Sequence, residues 1–268
     1  MLVALLVAAT ATFLMARGEG GASGEVRAAD DRAGPSSSTS TTATSTTAPA
    51  TTAAPPTTMP PAPTTTRAPV PTTSAPTTVP APPFQSAVEP VTALELGASW
   101  RPGCPVGADA LRAVSVSHWG YDGAVRTGRL VVHAEEADRM VAVFRDVYAA
   151  RFPIQQMVPI DAYGGDDQAS MRANNTSAFN CRYVAGTTRW SEHAFGRAVD
   201  VNPLVNPYVK GSSVDPPEGA PYADRSRNDP GMIHAGDAVV RAFADQGWGW
   251  GGAWSSGKDY QHFSASGR

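Results

Sequence analysis

Between Gly34 and Phe84 the chain consists almost wholly of Thr, Pro, Ala and Ser, and Arg67 is its single charged side chain there. So few apolar side chains cannot offset the entropy of ordering, and the segment is expected to be extended and disordered. Polyproline-like chain rises about 3.1 Å per residue, so it could reach on the order of 150 Å. Folding is thereby confined to the residues C-terminal to this segment. The expected organisation is an apolar N-terminal export or anchor segment with a polar spacer (1–33), a linker (34–87), and one domain large enough for its own core (88–268).

The net charge of −3 and the lack of any dense Lys/Arg patch remove nucleic acid from the expected partners. The opening run MLVALLVAATATFLM has fifteen residues, short of the roughly 20 that span a bilayer as a helix. It suits the core of an export signal, although no basic residue precedes it, and a retained membrane anchor is the other reading. A Thr/Pro-rich stalk fits a spacer outside the cell, or an interdomain linker anywhere. Cys104 and Cys181, the two cysteines of the chain, both fall in the foldable part. In an oxidising compartment they can pair and tie the start of the domain to its middle; two buried thiols are the alternative. The expected location is extracytoplasmic, secreted or membrane-anchored at the cell wall.

Within the domain, apolar residues at Ala137, Met140, Val141, Phe144, Val147 and Tyr148 follow one face of a helix inside 133–154, with acidic residues in its first turn and Pro153 after its end. RLVV (129–132), QMVPIDAY (156–163) and SAFNCRYV (177–184) read as strands. In GRAVDVN (196–202), Val199 and Val201 face one way while Ala198, Asp200 and Asn202 face the other. A second helix is expected over 235–246, stopped by Gly247. The Gly/Trp-rich stretch before DYQHF reads as a tight turn and a strand. Mixed helices and strands without regular βαβ alternation give an α+β class, with a central antiparallel sheet flanked by helices.

On that reading the Asp200 carboxylate leaves the core, and His193 sits in the loop entering the strand, with Gly196 permitting a sharp bend. A His and an Asp so placed can grip one metal ion. DYQHF supplies a third ligand, His262, with Asp259 three residues earlier. Two imidazoles and one carboxylate suit a single zinc ion, and three protein ligands leave a position open for chemistry. Zinc lowers the pKa of water to about 7, and Asp259 is placed as the general base that takes its proton and returns it to a leaving amine. The bland readings are a loop histidine, a strand-end or helix-capping Asp200, and a turn aspartate after Gly257 and Lys258.

SEHAFGRAVDVNP followed by WGWGGAW and DYQHF closely resembles the zinc metallopeptidases of the D-alanyl-D-alanine carboxypeptidase (VanY-like) and L-alanyl-D-glutamate endopeptidase family. The Ser-x-His-x-x-Gly-x-Ala-x-Asp pattern of that family is matched by Ser191, His193, Gly196, Ala198 and Asp200. Its acid three residues before a His is matched by Asp259 and His262. The resemblance runs from about residue 128 to 264. It implies zinc on His193, Asp200 and His262, Asp259 as catalytic acid/base, a compact α+β fold shared with hedgehog-like domains, and hydrolysis of peptide bonds in peptidoglycan stem peptides. It also implies an upstream arginine that holds the substrate carbonyl. Arg182, on an expected strand, is favoured because a firmly held guanidinium is preorganised; Arg172, in an expected loop, is the rival. The Gly-Tyr-Arg-Ser stretch common in the family is not matched here.

A ferrous oxygenase also uses two His and one carboxylate, but commonly with a His-x-Asp spacing that this chain lacks. A non-catalytic, zinc-containing peptidoglycan-binding module is the remaining alternative. It would be expected to close the metal with a fourth protein ligand, which the cysteines could supply only if unpaired. The long stretch 206–232 between the two motifs is expected to shape the cleft. Carboxypeptidase and endopeptidase activities stay open, and a monomer is expected. His118, His133 and His234 find no partner motif, with a capping or surface role expected for His133. Trp248, Trp250 and Trp254 are expected to pack beneath the last strand or to floor the cleft.

Overall fold

The computed structural model describes residues 80–268; the expected N-terminal segment and nearly all of the linker lie outside the described residues. Three strands form an antiparallel meander, β1 (Ser86–Pro90), β2 (Leu111–Trp119) and β3 (Val125–His133), with β2 central. A short helix, α1 (Ala93–Leu96), lies between β1 and β2, begun by a capping box in which Thr92 and Glu95 bond reciprocally. β1 starts just ahead of the expected boundary at residue 88, and the domain takes in still earlier residues. Phe84 packs against the core, its ring 5.7 Å from that of Tyr148, and the Tyr148 hydroxyl donates to the Pro82 carbonyl at 2.6 Å.

Helix α2 (Ala137–Ala149) covers the meander with the stripe that its spacing indicates. Met140, Phe144 and Val147 are buried on it, joined by Val143, while Val141 is only partly covered. Fully burying side chains of this size stabilises the fold by about 1.5–3 kcal/mol each. Helix α4 (Ala238–Asp245) packs beside α2 through Phe243, whose ring meets Phe144 edge-on and stacks on Phe263 at 4.0 Å. Gly247, at φ +79°, follows the end of α4 in the left-handed conformation expected of a helix stop.

Two expected strands are corrected. In 156–163 only β4 (Gln156–Met157) is extended; Pro159 cannot donate to a ladder, and Ile160–Tyr163 turn into a 3-10 helix. The stretch 177–184 is not a strand, because its amides go to scattered partners. Phe179 N bonds Val131 O, Asn180 N bonds His193 O, Cys181 N bonds Ser99 O, and Arg182 N bonds Asn180 O. Just ahead of it, helix α3 (Asp167–Arg172) leads into β5 (Asn175–Thr176), which pairs in parallel with β4.

The rest of the antiparallel pairing is divided between two further three-stranded sheets rather than joined in one central sheet. The first has β11 (His262–Ser264) between β6 (Ala198–Asp200) and β9 (Gly249–Trp250). The second has β7 (Tyr208–Lys210) between β8 (Ser213–Asp215) and β10 (Lys258–Asp259). Strands β7 and β8 come from the 206–232 stretch, which is bolted down by buried polar groups. Asn206 donates to Gly231 O at 2.8 Å and accepts from Ile233 N at 2.8 Å, and Arg225 reaches Val205 O at 3.0 Å and Ile233 O at 2.6 Å. Among the described residues no helix is long and apolar enough to cross a membrane.

Candidate active site

His193 lies in a single 3-10 turn, Glu192–Phe195, begun by Ser191, whose hydroxyl accepts from the His193 amide. Gly196 ends the turn at φ +66°, and its carbonyl accepts from His133 N at 2.9 Å. A Cβ at this position would come within 2.5 Å of that same His133 nitrogen. Only glycine combines the left-handed backbone with this close approach. The chain then enters β6, where Val199 and Val201 point into the apolar core and Asp200 points to the other side. That other side is itself almost closed, and Asp200 is only 6% exposed.

In the β6–β11 pair, His262 is the direct cross-strand partner of Asp200, so the two side chains share a face. The result is a tight triad. Asp200 Oδ1 lies 3.0 Å from His262 Nδ1, Asp200 Oδ2 lies 3.1 Å from His193 Nε2, and the two ring nitrogens are 3.3 Å apart. The opposite nitrogen of each ring faces a main-chain oxygen: His193 Nδ1 lies 2.6 Å from the Ala178 carbonyl, and His262 Nε2 lies 3.1 Å from Arg268 O. Both oxygens accept, so these nitrogens carry the protons. In the neutral rings the inward nitrogens are lone pairs converging on a carboxylate, an arrangement that a cation, whether a proton or a metal ion, satisfies. Histidine ligands are commonly oriented in this way by their second nitrogen. His193, Asp200 and His262 thus form a group that could hold a metal ion.

The electrostatics agree. Burial opposes charge on Asp200, yet the two imidazoles overcome it and hold the carboxyl well below its usual range. Burial likewise opposes a charged His262, but the Asp200 carboxylate raises its pKa to about 9. Both shifts show a floor that favours positive charge beside Asp200.

Asp259 stands on β10, opposite Tyr208 of β7, and not in a simple turn. Gly251 lets the neighbouring chain pass directly over it, since a Cβ there would come within 2.8 Å of the Asp259 Cβ. One carboxylate oxygen, Oδ1, is buried with no hydrogen-bond partner. Burial is the largest influence on this carboxyl; the Asp200 charge adds to it, His262 and Arg182 oppose it, and the pKa is pushed up to about 7.

Asp259 and the triad line one cleft of about 480 Å³, together with Arg182, Trp254, Tyr208 and Asp215. The last two come from the 206–232 stretch, which does shape the cleft. Arg182 is brought to the site by a loop rather than a strand. The loop is held by the Cys104–Cys181 disulfide, with Cα atoms 5.8 Å apart, and by stacking of Tyr183 on Trp190 at 4.0 Å. Arg182 NH2 is 3.0 Å from Asp167 Oδ2 at the start of α3. Arg172 instead faces away, near Glu218 at 4.0 Å, and does not line the cleft.

Among the tryptophans, Trp248 is buried against Phe243, and Trp250 packs on Phe263 while donating to Tyr260 O. Trp254 lies on the cleft, its ring 5.5 Å from that of His262. His133 accepts from Glu135 N as a cap.

Residues 185–265 match the family model described as D-alanyl-D-alanine carboxypeptidase. The match takes in the triad and Asp259; Arg182 precedes it. No curated protein and no solved structure matches the chain. Sequence reasoning missed the main-chain oxygens of Ala178 and Arg268, because a backbone oxygen has no residue type to announce it. It also missed Asp167, the partner that holds Arg182.

Proposed function

We propose that the protein is a zinc metallopeptidase that hydrolyses peptide bonds in the stem peptides of bacterial peptidoglycan. The observation that carries this reading is one cleft holding three converging side chains that could ligate a metal and, beside them, a carboxylate whose Oδ1 is buried without a partner. Both cysteines are in the disulfide, so neither can close the metal as a fourth ligand. A catalytic zinc site with an open position fits better than a closed structural one. A non-catalytic binding module would also have no use for Asp259.

His193, Asp200 and His262 would hold the zinc ion, which when bound supplies Lewis acidity that polarises a carbonyl and lowers the pKa of water. The main-chain oxygens of Ala178 and Arg268 keep both imidazoles in the tautomer that ligation needs. Asp259 takes a proton from the attacking water and hands it to the departing amine. The Arg182 guanidinium, steadied by Asp167, donates to the carbonyl oxygen as negative charge develops on it. Trp254 gives the substrate a flat apolar wall. The disulfide supports an oxidising, extracytoplasmic location, with the chain acting as a monomer at the cell wall.

The test is direct. The purified chain, its zinc content quantified, is incubated with a stem pentapeptide containing L-Ala-D-Glu and ending in D-Ala-D-Ala. Mass spectrometry then reads the products: loss of one terminal alanine identifies a carboxypeptidase, and cleavage after the first L-Ala an endopeptidase. Zinc-loaded protein that cuts neither bond would sink the reading.

A further inference from the structure

Buried polar atoms without a partner are rare in folded proteins, and each calls for an explanation such as a catalytic role or an absent ligand. Among the described residues four buried side-chain atoms have none: Arg182 Nε, Arg225 Nε, Asp259 Oδ1 and Gln261 Oε1. Arg182, Asp259 and Gln261 all line the cleft. The first two already have parts in the proposed reaction. Gln261 has none.

Gln261 lies where the chain passes from β10, which carries Asp259, into β11, which carries His262. Its backbone is fixed, because its carbonyl accepts from Val201 N at 3.0 Å beside β6. Its side chain is nearly inaccessible, with the residue 3% exposed. A glutamine that served only the fold would be expected to spend its amide on a neighbouring group, as Asn206 and Asn202 do in the same domain. A carboxamide carries the same donor and acceptor as a peptide group. The complement of a buried, unpaired amide oxygen in a cleft is therefore an N–H donor, such as the one a peptide group supplies.

We propose that Gln261 is a substrate-binding residue whose carboxamide hydrogen-bonds a backbone peptide group of the bound substrate, next to the bond being cut. The assignment rests on the peptidase reading of the cleft. It makes Gln261 a reader of the peptide backbone rather than of side chains. Its position beside His262 couples the grip on the substrate chain to the strand that carries a metal ligand.

The test separates this assignment from the peptidase reading itself. The full chain carrying Asp259→Asn, loaded with zinc so that the peptide survives, is titrated calorimetrically with a stem pentapeptide ending in D-Ala-D-Ala and separately with tri-L-alanine. Each titration is made with Gln261 intact and with Gln261→Leu. The expected result is a stem-peptide Kd at least about tenfold weaker in Gln261→Leu, with zinc stoichiometry unchanged. The melting temperature should be unchanged or higher, since an apolar side chain of similar size relieves the burial of an unsatisfied amide. Equal Kd values with and without Gln261 would overturn the assignment and leave the peptidase reading standing. A lowered melting temperature, whatever the Kd, would assign the side chain to the fold and overturn it as well. Binding of tri-L-alanine alone, through Gln261, would keep the assignment and remove the cell-wall substrate. Binding of neither peptide would overturn both.

Discussion

In the meander, β2 and β3 are nine residues each and pair along their whole length, and α2 closes their face with Met140, Phe144 and Val147. Around the candidate metal-binding triad the strands shrink to the three residues of β6 and β11 and the two of β10. There the chain is held instead by buried Asn202 and Asn206, by main-chain oxygens on both imidazoles, by a disulfide and by Gly196. The first region is stabilised mainly by area removed from water, which tolerates small shifts. The second is stabilised by directed bonds that fix side-chain positions, as a site needing accurate geometry requires. Continuous apolar packing builds the platform, and short polar stitches set the chemistry upon it.

The contrast can be broken from either side. His262→Ala should take zinc from one equivalent to none and turnover to background while circular dichroism of the fold is unchanged, because the ligand set is lost and α2 is untouched. Metal analysis of the purified variant checks this, and full zinc occupancy would remove His262 from the site. Phe144→Ala should do the reverse. Truncating this fully buried ring is expected to cost about 3–5 kcal/mol in urea unfolding, with zinc stoichiometry and turnover per folded molecule preserved. A matching loss of turnover per folded molecule would show that the two regions are not separable.

A smaller effect is expected inside the site. Arg182→Ala should lower kcat by about a hundredfold with little change in KM, as loss of one oxyanion donor does, whereas Arg172→Ala should leave both unchanged. An effect confined to Arg172 would reverse the assignment.

The smallest effect concerns pH. In the folded, metal-free protein burial keeps Asp259 protonated to about pH 7, while in the unfolded chain an aspartate loses its proton near about 3.9. Between these values the folded state binds the extra proton. Its contribution to stability is therefore full below the unfolded pKa and is lost as pH rises through the folded one. Asp259→Asn removes that loss. In EDTA the variant and the parent should melt together near pH 4, and the variant should melt about 5 °C higher at pH 8. Identical melting curves at both pH values would show that Asp259 is not held protonated by its surroundings.

Much of the platform and most of the site could be read before folding. The stripe on α2 was legible because one face of a helix repeats in sequence, and the Val199/Val201 alternation because a strand has a period of two. The stretch 177–184 read as a strand too, yet formed none; its amides bond to several separate neighbours, and no local pattern encodes partners so far apart in the chain. Arg182 was assigned to the cleft on a mistaken local structure. It arrives there because Cys181 is tied to Cys104 and Asp167 receives its guanidinium.

The sequence by itself determined the types of the candidate ligands, their order and the one glycine that the His193 turn needs, since these depend on chemistry and on neighbours a few residues away. Tertiary structure decided which atoms meet. Cross-strand register placed His262 opposite Asp200, the main-chain oxygens of Ala178 and Arg268 met the outer ring nitrogens, and the hairpin from the 206–232 stretch paired with β10 beside Asp259. These pairings span from 6 to 62 positions of the chain. Their geometry exists only once the apolar platform has brought the strands together, and a pKa set by burial cannot exist before there is an interior.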